Sequence, residues 1–229
     1  MFTGIVQGIA QVARITDKEG LRSFTLDFPD GFCRDLEIGA SVACDGVCLT
    51  VTALDGDHRA DFDVMLQSLN LTTLGRLGVG GRLNVERAAK EGAEIGGHPL
   101  SGHVDFMATV ASIRRPANNH VIRIAVPAPW MRYIFPKGYI AVNGASLTVA
   151  EAGRNADGSG WFEVWLIPET LRMTTFADKG EGAPVHIEIE RQTQVMVDTI
   201  RDAVAEKIGA LMPALQAFAR ERGLDLGAE

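Results

Sequence analysis

The segment Cys44-Asp45-Gly46-Val47-Cys48-Leu49-Thr50-Val51 returns as Val142-Asn143-Gly144-Ala145-Ser146-Leu147-Thr148-Val149, an offset of 98 residues (146 − 48). The same offset carries Gly4 and Val6 onto Gly102 and Val104. Further along, Leu69 with Thr72-Thr73 returns as Leu171 with Thr174-Thr175, and Leu83-Asn84-Val85-Glu86 as Val185-His186-Ile187-Glu188, both now at an offset of 102 (174 − 72). The Gly-rich stretch from Gly153 to Gly160, set against the tighter Asp55-Gly56 turn, accounts for the extra residues. Collinear matches across nearly all of both halves are the mark of gene duplication, so the chain must fold as two copies of one small domain followed by a tail.

Within each copy the apolar period is 2. Phe24, Leu26 and Phe28 alternate in the first copy, and Ile122, Ile124 and Val126 in the second. Val185, Ile187 and Ile189 repeat the pattern with His186, Glu188 and Glu190 opposite, which predicts half-buried strands. Short strands broken by Gly, Asp and Pro turns predict a mainly β fold. Its form is two tandem, homologous Greek-key antiparallel β-barrels of about six strands each, plus a C-terminal α-helix. The boundaries follow as 1–97, 98–191 and 192–229. Short helices are expected at Ser68 to Leu74 and Thr170 to Phe176. In the tail, Val197, Ile200, Val204, Ile208, Leu211, Leu215 and Phe218 recur at steps of three and four, one stripe on a helix that Pro213 should kink or end, with a fraying end beyond.

A formal net charge of −7 leaves no broad basic surface for phosphates, which excludes nucleic acid and anionic membranes as partners. The three cysteines, Cys33, Cys44 and Cys48, form no CxxC pair and are an odd number, so a reduced, cytoplasmic setting is expected and a zinc site is not. The apolar start MFTGIVQGIAQVARI lacks a basic leader region and is interrupted by Arg14, so it is expected to belong to the fold.

The duplicated signature carries the first candidate chemistry. Asp45-Gly46 and Asn143-Gly144 mark tight turns, each feeding a strand on which Cys48 and Thr50, or Ser146 and Thr148, share a face. Paired small polar groups suit a flat polar heterocycle, although a lone Cys is usually a small buried hydrophobe and Thr a natural strand residue. A second cluster, Gly96-Gly97-His98-Pro99-Leu100-Ser101-Gly102-His103, sets two histidines at the junction of the copies, where they are either proton carriers or parts of a plain linker. Lys137, Asp63 and Glu190 are charged residues that by default face solvent.

Taken together, Met1-Phe2-Thr3-Gly4-Ile5-Val6, Gly46 to Val51, Gly96-Gly97-His98, Ser101-Gly102-His103-Val104, Ser146 to Val149 and Leu166-Ile167-Pro168-Glu169-Thr170-Leu171 resemble the riboflavin synthase family, alpha-chain type, of Gram-negative bacteria. The resemblance runs from Met1 to about Thr199. It implies dismutation of two 6,7-dimethyl-8-ribityllumazine molecules by four-carbon transfer, giving riboflavin and 5-amino-6-(D-ribitylamino)uracil without any cofactor. It further implies a homotrimer built through the C-terminal helices, and association with lumazine synthase. A reaction between two copies of one substrate calls for two similar half-sites, which is what a duplication supplies.

Carried over residue by residue, the resemblance places substrate contacts in the first copy at Gly4, Ile5, Val6, Cys48, Leu49, Thr50, Asp63, Val64, Met65, Leu66, Gln67 and Ser68. In the second they fall at His98, Gly102, His103, Val104, Lys137, Ser146, Leu147, Thr148, Leu166, Ile167, Pro168, Glu169, Thr170 and Leu171. Catalytic roles fall to Cys48, Ser41, His103, Ser146, Thr148 and Lys137, with Phe2 covering a ring face. Three positions depart from the family pattern. Leu66-Gln67-Ser68 replaces a Pro-Glu-Thr-like stretch; Asn143 stands where Asp is common, so no acid or base role carries over to it; Glu190 stands where Asp is frequent. The rival reading is a non-catalytic lumazine- or flavin-binding protein of the same ancestry, like the fluorescent antenna proteins of luminous bacteria. Such relatives tend to lose the Cys, the second Ser-Leu-Thr or the paired histidines that this chain keeps.

Overall fold

A computed structural model describes residues 1–117, 119–209 and 211–222, the Arg220 side chain excepted. It forms two compact units, Met1–Glu190 and Arg191–Glu229. In the first, six strands, β1 (Gly8–Lys18), β2 (Leu21–Asp27), β3 (Ser41–Cys44), β4 (Val47–Asp55), β5 (Arg59–Met65) and β6 (Arg82–Arg87), close into an antiparallel barrel of order β1-β2-β5-β4-β3-β6. That order inserts the β3–β4 hairpin between β5 and β6, a Greek key.

The second copy supplies β7 (Phe106–Arg114), β8 (His120–Val126), β9 (Tyr139–Val142), β10 (Ala145–Thr148), β11 (Glu151–Arg154), β12 (Gly160–Leu166) and β13 (Pro184–Ile189), in the order β10-β9-β13-β7-β8-β12-β11. The count of seven rather than six arises because the counterpart of β4 is divided at Val149 and Ala150, so its halves stand at the two ends of the sheet.

The first copy closes fully while the second curls as a seven-stranded sheet left open between β10 and β11, and both wrap the alternating apolar residues read from the sequence. Phe24, Leu26, Phe62, Val64, Leu83 and Val85 fill the first, and Ile122, Ile124, Phe162, Val164, Val185 and Ile187 the second. The predicted short helices occur slightly earlier, as α1 (Leu66–Leu71) and α2 (Pro168–Met173), each followed by a 3-10 turn, Thr73–Arg76 and Thr175–Asp178. The expectation of half-buried strands fails for β6 and β13. Their polar faces, Asn84, Glu86, His186 and Glu188, are buried too: the other copy covers Asn84 and His186, and each copy's own N-terminal arm covers Glu86 or Glu188.

The two copies are locked by exchanged N-terminal arms. Phe2 and Leu100 pair across the pseudo-twofold (N to O, 2.8 and 2.9 Å). From there Val6 joins the core of the second barrel and Val104 packs on the core of the first. Glu86 anchors one arm through the N–H groups of Thr3 and Gly4, and Glu188 anchors the other through those of Ser101 and Gly102.

Among its described residues the second unit holds two helices, not one: α3 (Arg191–Gly209) and α4 (Met212–Arg222). The break falls just before Pro213, which sits in the first turn of α4 where its missing N–H costs nothing. Val195, Met196, Ile200, Val204, Ile208, Leu215 and Phe218 lie exposed on them. The fraying expected at the end concerns residues 223–229, outside the described residues.

Candidate active site

In each barrel the ladder between the fourth and fifth strands is incomplete. β4 pairs with β5 only from Val51 to Asp55, opposite Phe62 to Arg59, and in the second barrel only β11 pairs with β12. The main chain of Cys48 to Thr50, and of Ser146 to Thr148, therefore borders a split in the barrel wall. The other copy's arm enters that split: Cys48 N–H donates to Gly102 O, and Ser146 N–H to Gly4 O, both at 2.8 Å. The approach is so close that a Cβ on Gly4 would lie 2.5 Å from the Ser146 Cβ, and one on Gly102 2.6 Å from the Cys48 Cβ. Each half-site thus combines a strand of one copy with the arm of the other.

At the second half-site a cavity of about 310 Å³ is lined by Gly4, Ile5, Val6, Ala145, Ser146, Leu147, Glu169, Thr170, Met173 and Thr174. Five of these, Gly4, Ile5, Val6, Ser146 and Leu147, fall on stretches that the resemblance singles out in the arm and the strand, and Glu169 and Thr170 on the α2 stretch. Their counterparts at the first half-site, by the two offsets, are Gly102, His103 and Val104 on the second copy's arm, and Val47, Cys48, Leu49, Gln67, Ser68, Leu71 and Thr72.

The signature residues are laid out by strand alternation. Cys48 and Thr50 face outward while Val47, Leu49 and Val51 turn into the core; Ser146 and Thr148 do the same in the second copy. Ser41 is the register partner of Thr50. Asp63 and Met65 are exposed on β5, with Asp63 bonded to Ser23 and 3.6 Å from Lys18. Val64 and Leu166 are core residues, so neither offers its side chain to a ligand, and Leu49 offers only its main chain.

Leu66, Ile167, Pro168 and Glu169 are exposed at the ends of the fifth strands and the helices after them, Glu169 paired with Arg172. Leu171 packs on the second core. Lys137 is exposed and holds φ at +69°, where its counterpart Gly39 holds +90°, and its N–H bonds Val149 O at 2.7 Å.

The two histidines separate. His98 is buried at the second half-site, its Nδ1 2.6 Å from Ser146 Oγ and its ring stacked 5.3 Å from Tyr139, while its Nε2 has no partner among the described residues. Burial pushes its pKa below the ordinary histidine value, with the Glu190 carboxylate opposing, so the ring is neutral and can accept the Ser146 proton. His103 sits exposed on the arm beside Cys48. Phe2 does not cover a ring face. Its side chain is fully buried with Ala43, Leu100 and Ala141, under Gly102, where it sets the height of the arm.

Sequence reasoning missed the inter-barrel seam. Asn84 accepts from Thr175 N–H (2.8 Å) and donates to Asn143 O (3.0 Å). His186 reciprocates, its Nε2 accepting from Thr73 N–H and its Nδ1 bonding Asp45 O, each at 2.8 Å. The Asp45-Gly46 and Asn143-Gly144 turns meet back to back here, and a Cβ on either glycine would come within 2.8 Å of the other's N. The signal was present in the repeat, since Asn84 and His186, Thr73 and Thr175, and Asp45 and Asn143 are matched pairs. No group of three or more His, Cys, Asp or Glu side chains suited to a metal ion occurs among the described residues.

Two segments, residues 3–88 and 101–190, match the lumazine binding domain family. Crystal structures of LumP complexed with riboflavin and with 6,7-dimethyl-8-(1'-D-ribityl) lumazine resemble the chain with TM-scores of 0.73 and 0.71, at 26% identity over 83% of this chain and 100% of theirs. Fold and site together define a tandem lumazine-binding β-barrel protein. Riboflavin synthase of Escherichia coli (strain K12) is 47% identical over 212 residues, 92% of this chain and 97% of its own. That of Mycobacterium tuberculosis (strain ATCC 25618 / H37Rv) is 39% identical over 208 residues, 89% of this chain and all of its own. The chain belongs to the riboflavin synthase family.

Proposed function

We propose that the chain catalyses the dismutation of two 6,7-dimethyl-8-ribityllumazine molecules to riboflavin and 5-amino-6-(D-ribitylamino)uracil, the halves 1–97 and 98–191 each supplying one half-site. The observation that carries this reading is the pair of like-built splits, each bordered by a small nucleophilic side chain, Cys48 or Ser146, and each completed by the other copy's arm. A strand edge that stops short of full pairing leaves main-chain donors and acceptors seeking partners, and the imide edge of a lumazine supplies them.

The chemistry needs a C7 methyl proton removed from one lumazine and a nucleophile added at C7 of the other. The neutral His98 beside Ser146 Oγ is placed for one of these steps, and Cys48 with His103 for the other. Much of the acceleration comes from holding two rings in register, which asks for shape and no metal or cofactor. The two products together contain all the atoms of two substrates, so no oxidant or reductant is needed.

The exposed apolar stripe on α3 and α4 supports assembly, read here as a homotrimer, since such a stripe on a lone chain would stay in water. Cysteine usage supports a cytoplasmic setting, and no helix among the described residues is long and apolar enough to cross a membrane. Lumazine synthase, as the source of the substrate, belongs to the same reading as a partner. The non-catalytic binder is the weaker reading, because the synthases are far more similar in sequence, 47% against 26%.

The test is incubation of the purified protein with 6,7-dimethyl-8-ribityllumazine alone, without metal or nucleotide, following riboflavin absorbance with Cys48→Ser beside it. Riboflavin from the wild type, and at least about tenfold less from the variant, is expected, since a serine hydroxyl is a weaker nucleophile than a thiol. Tight lumazine binding without turnover would overturn the enzyme reading.

A further inference from the structure

The two half-sites share a backbone plan but differ in the side chains that flank it. In the second barrel Tyr139 is the register partner of Thr148. Glu151 pairs with Glu163, and Ala150 N–H bonds Glu163 O at 2.8 Å. Across the split from β10, β12 carries Trp165 on its outer face, between the core residues Val164 and Leu166. The outer face of the split therefore carries Tyr139 and Thr148 on one side and Trp165 on the other. Both aromatic residues are open, 52% and 48% exposed, and Tyr139 is backed by the stacked His98 ring that also holds Ser146.

The matching positions in the first barrel are polar. Ser41 is the counterpart of Tyr139 (139 − 41 = 98) and Asp63 of Trp165 (165 − 63 = 102). Ser41 pairs with Thr50, and Asp63 lies against Ser23 with Lys18 close by.

The products differ in the same sense. The molecule that receives four carbons becomes riboflavin, with an added apolar dimethylbenzenoid ring. The molecule that gives them up is left as a single polar ring bearing two amino groups. An aromatic wall favours the larger flat ring by stacking and apolar contact, whereas hydroxyls and a carboxylate favour the hydrogen-bond donors of the smaller one.

We propose that Trp165 and Tyr139 form an aromatic wall that recognises the growing isoalloxazine ring, which makes the second half-site the acceptor site and the first half-site, with Ser41 and Asp63, the donor site. This rests on the dismutation proposed above. The four carbons leave the lumazine held at Cys48 and join the one held at Ser146, and riboflavin is released from the walled half-site.

The test is riboflavin binding to the full-length wild type, Trp165→Ala, Trp165→Phe and Asp63→Ala, read by quenching of riboflavin fluorescence, with light scattering for assembly and lumazine turnover measured separately. Two classes of riboflavin site are expected in the wild type. Trp165→Ala should weaken the tighter class about tenfold, Trp165→Phe should restore most of it, and Asp63→Ala should leave it unchanged. Unchanged tight binding in Trp165→Ala, or loss of assembly with ligand affinity intact, would overturn the wall, as would weakening of the tight class by Asp63→Ala. Failure of the reaction reading shows separately, as a wild type that makes no riboflavin from lumazine.

Discussion

At the scale of the residue, the seam between the barrels holds two groups whose titration opposes each other. Burial raises the Asp45 pKa from 3.8 to about 6, against the pull of Lys179 and the bond from Asn84 N–H. Burial lowers that of His186 from 6.5 to about 4, against its bond to Asp45 O. The neutral imidazole is required, because Nε2 must accept from Thr73 N–H while Nδ1 donates. The contribution of His186 is therefore present above pH 6.5 and is lost as pH falls toward 4. That of Asp45 runs the other way, present below pH 3.8 and lost as pH rises through about 6.

His186→Asn, which copies Asn84, should abolish the part of the acid loss that falls between pH 6.5 and 4. Asp45→Asn, which copies Asn143, should stabilise the protein at pH 8 and leave it unchanged near pH 3. Denaturant titrations across this pH range check both; curves parallel to the wild type would show that the seam does not titrate. Neither role was legible from the strand pattern, because a polar residue alternating with apolar ones reads the same whether it meets water or a second barrel.

At the scale of the element, the tight turns do two jobs. Asp45 and Asn143 both hold positive φ, +47° and +44°, ahead of glycines at +83° and +78°, the geometry of a two-residue hairpin turn that aims Cys48 and Ser146. The sequence announced the turns by their Asp-Gly and Asn-Gly pairs. It did not announce that the turns touch, since nothing local in either hairpin records its mate. Gly144→Ala would put a Cβ 2.8 Å from Gly46 N in a backbone conformation that alanine resists. A loss of about 2–3 kcal/mol is expected in thermal or denaturant unfolding; a loss below about 0.5 kcal/mol, the size of an ordinary surface change, would mean that the turns do not pack as described. The arms escaped the sequence reading for a similar reason. Gly4 fits beside Ser146, and Gly102 beside Cys48, as well as each would fit its own copy, so the exchange is decided by chain geometry alone.

At the scale of the whole molecule, the duplication was the most legible feature and the most consequential one. Matched motifs at two fixed offsets predicted two barrels, and period-2 alternation predicted what fills them, as Phe24, Leu26, Ile122 and Ile124 show. The tail's stripe was legible too, though its division into two helices turned on a single Pro213. What the repeat could not show was how unlike the halves have become where they flank the split, with Ser41 and Asp63 facing Tyr139 and Trp165 as counterparts. The account stands on each chain carrying two separate places for a flat ribityl heterocycle, and calorimetric titration of the intact protein with riboflavin counts them directly. Two molecules bound per chain is the predicted result; a single molecule per chain would contradict it.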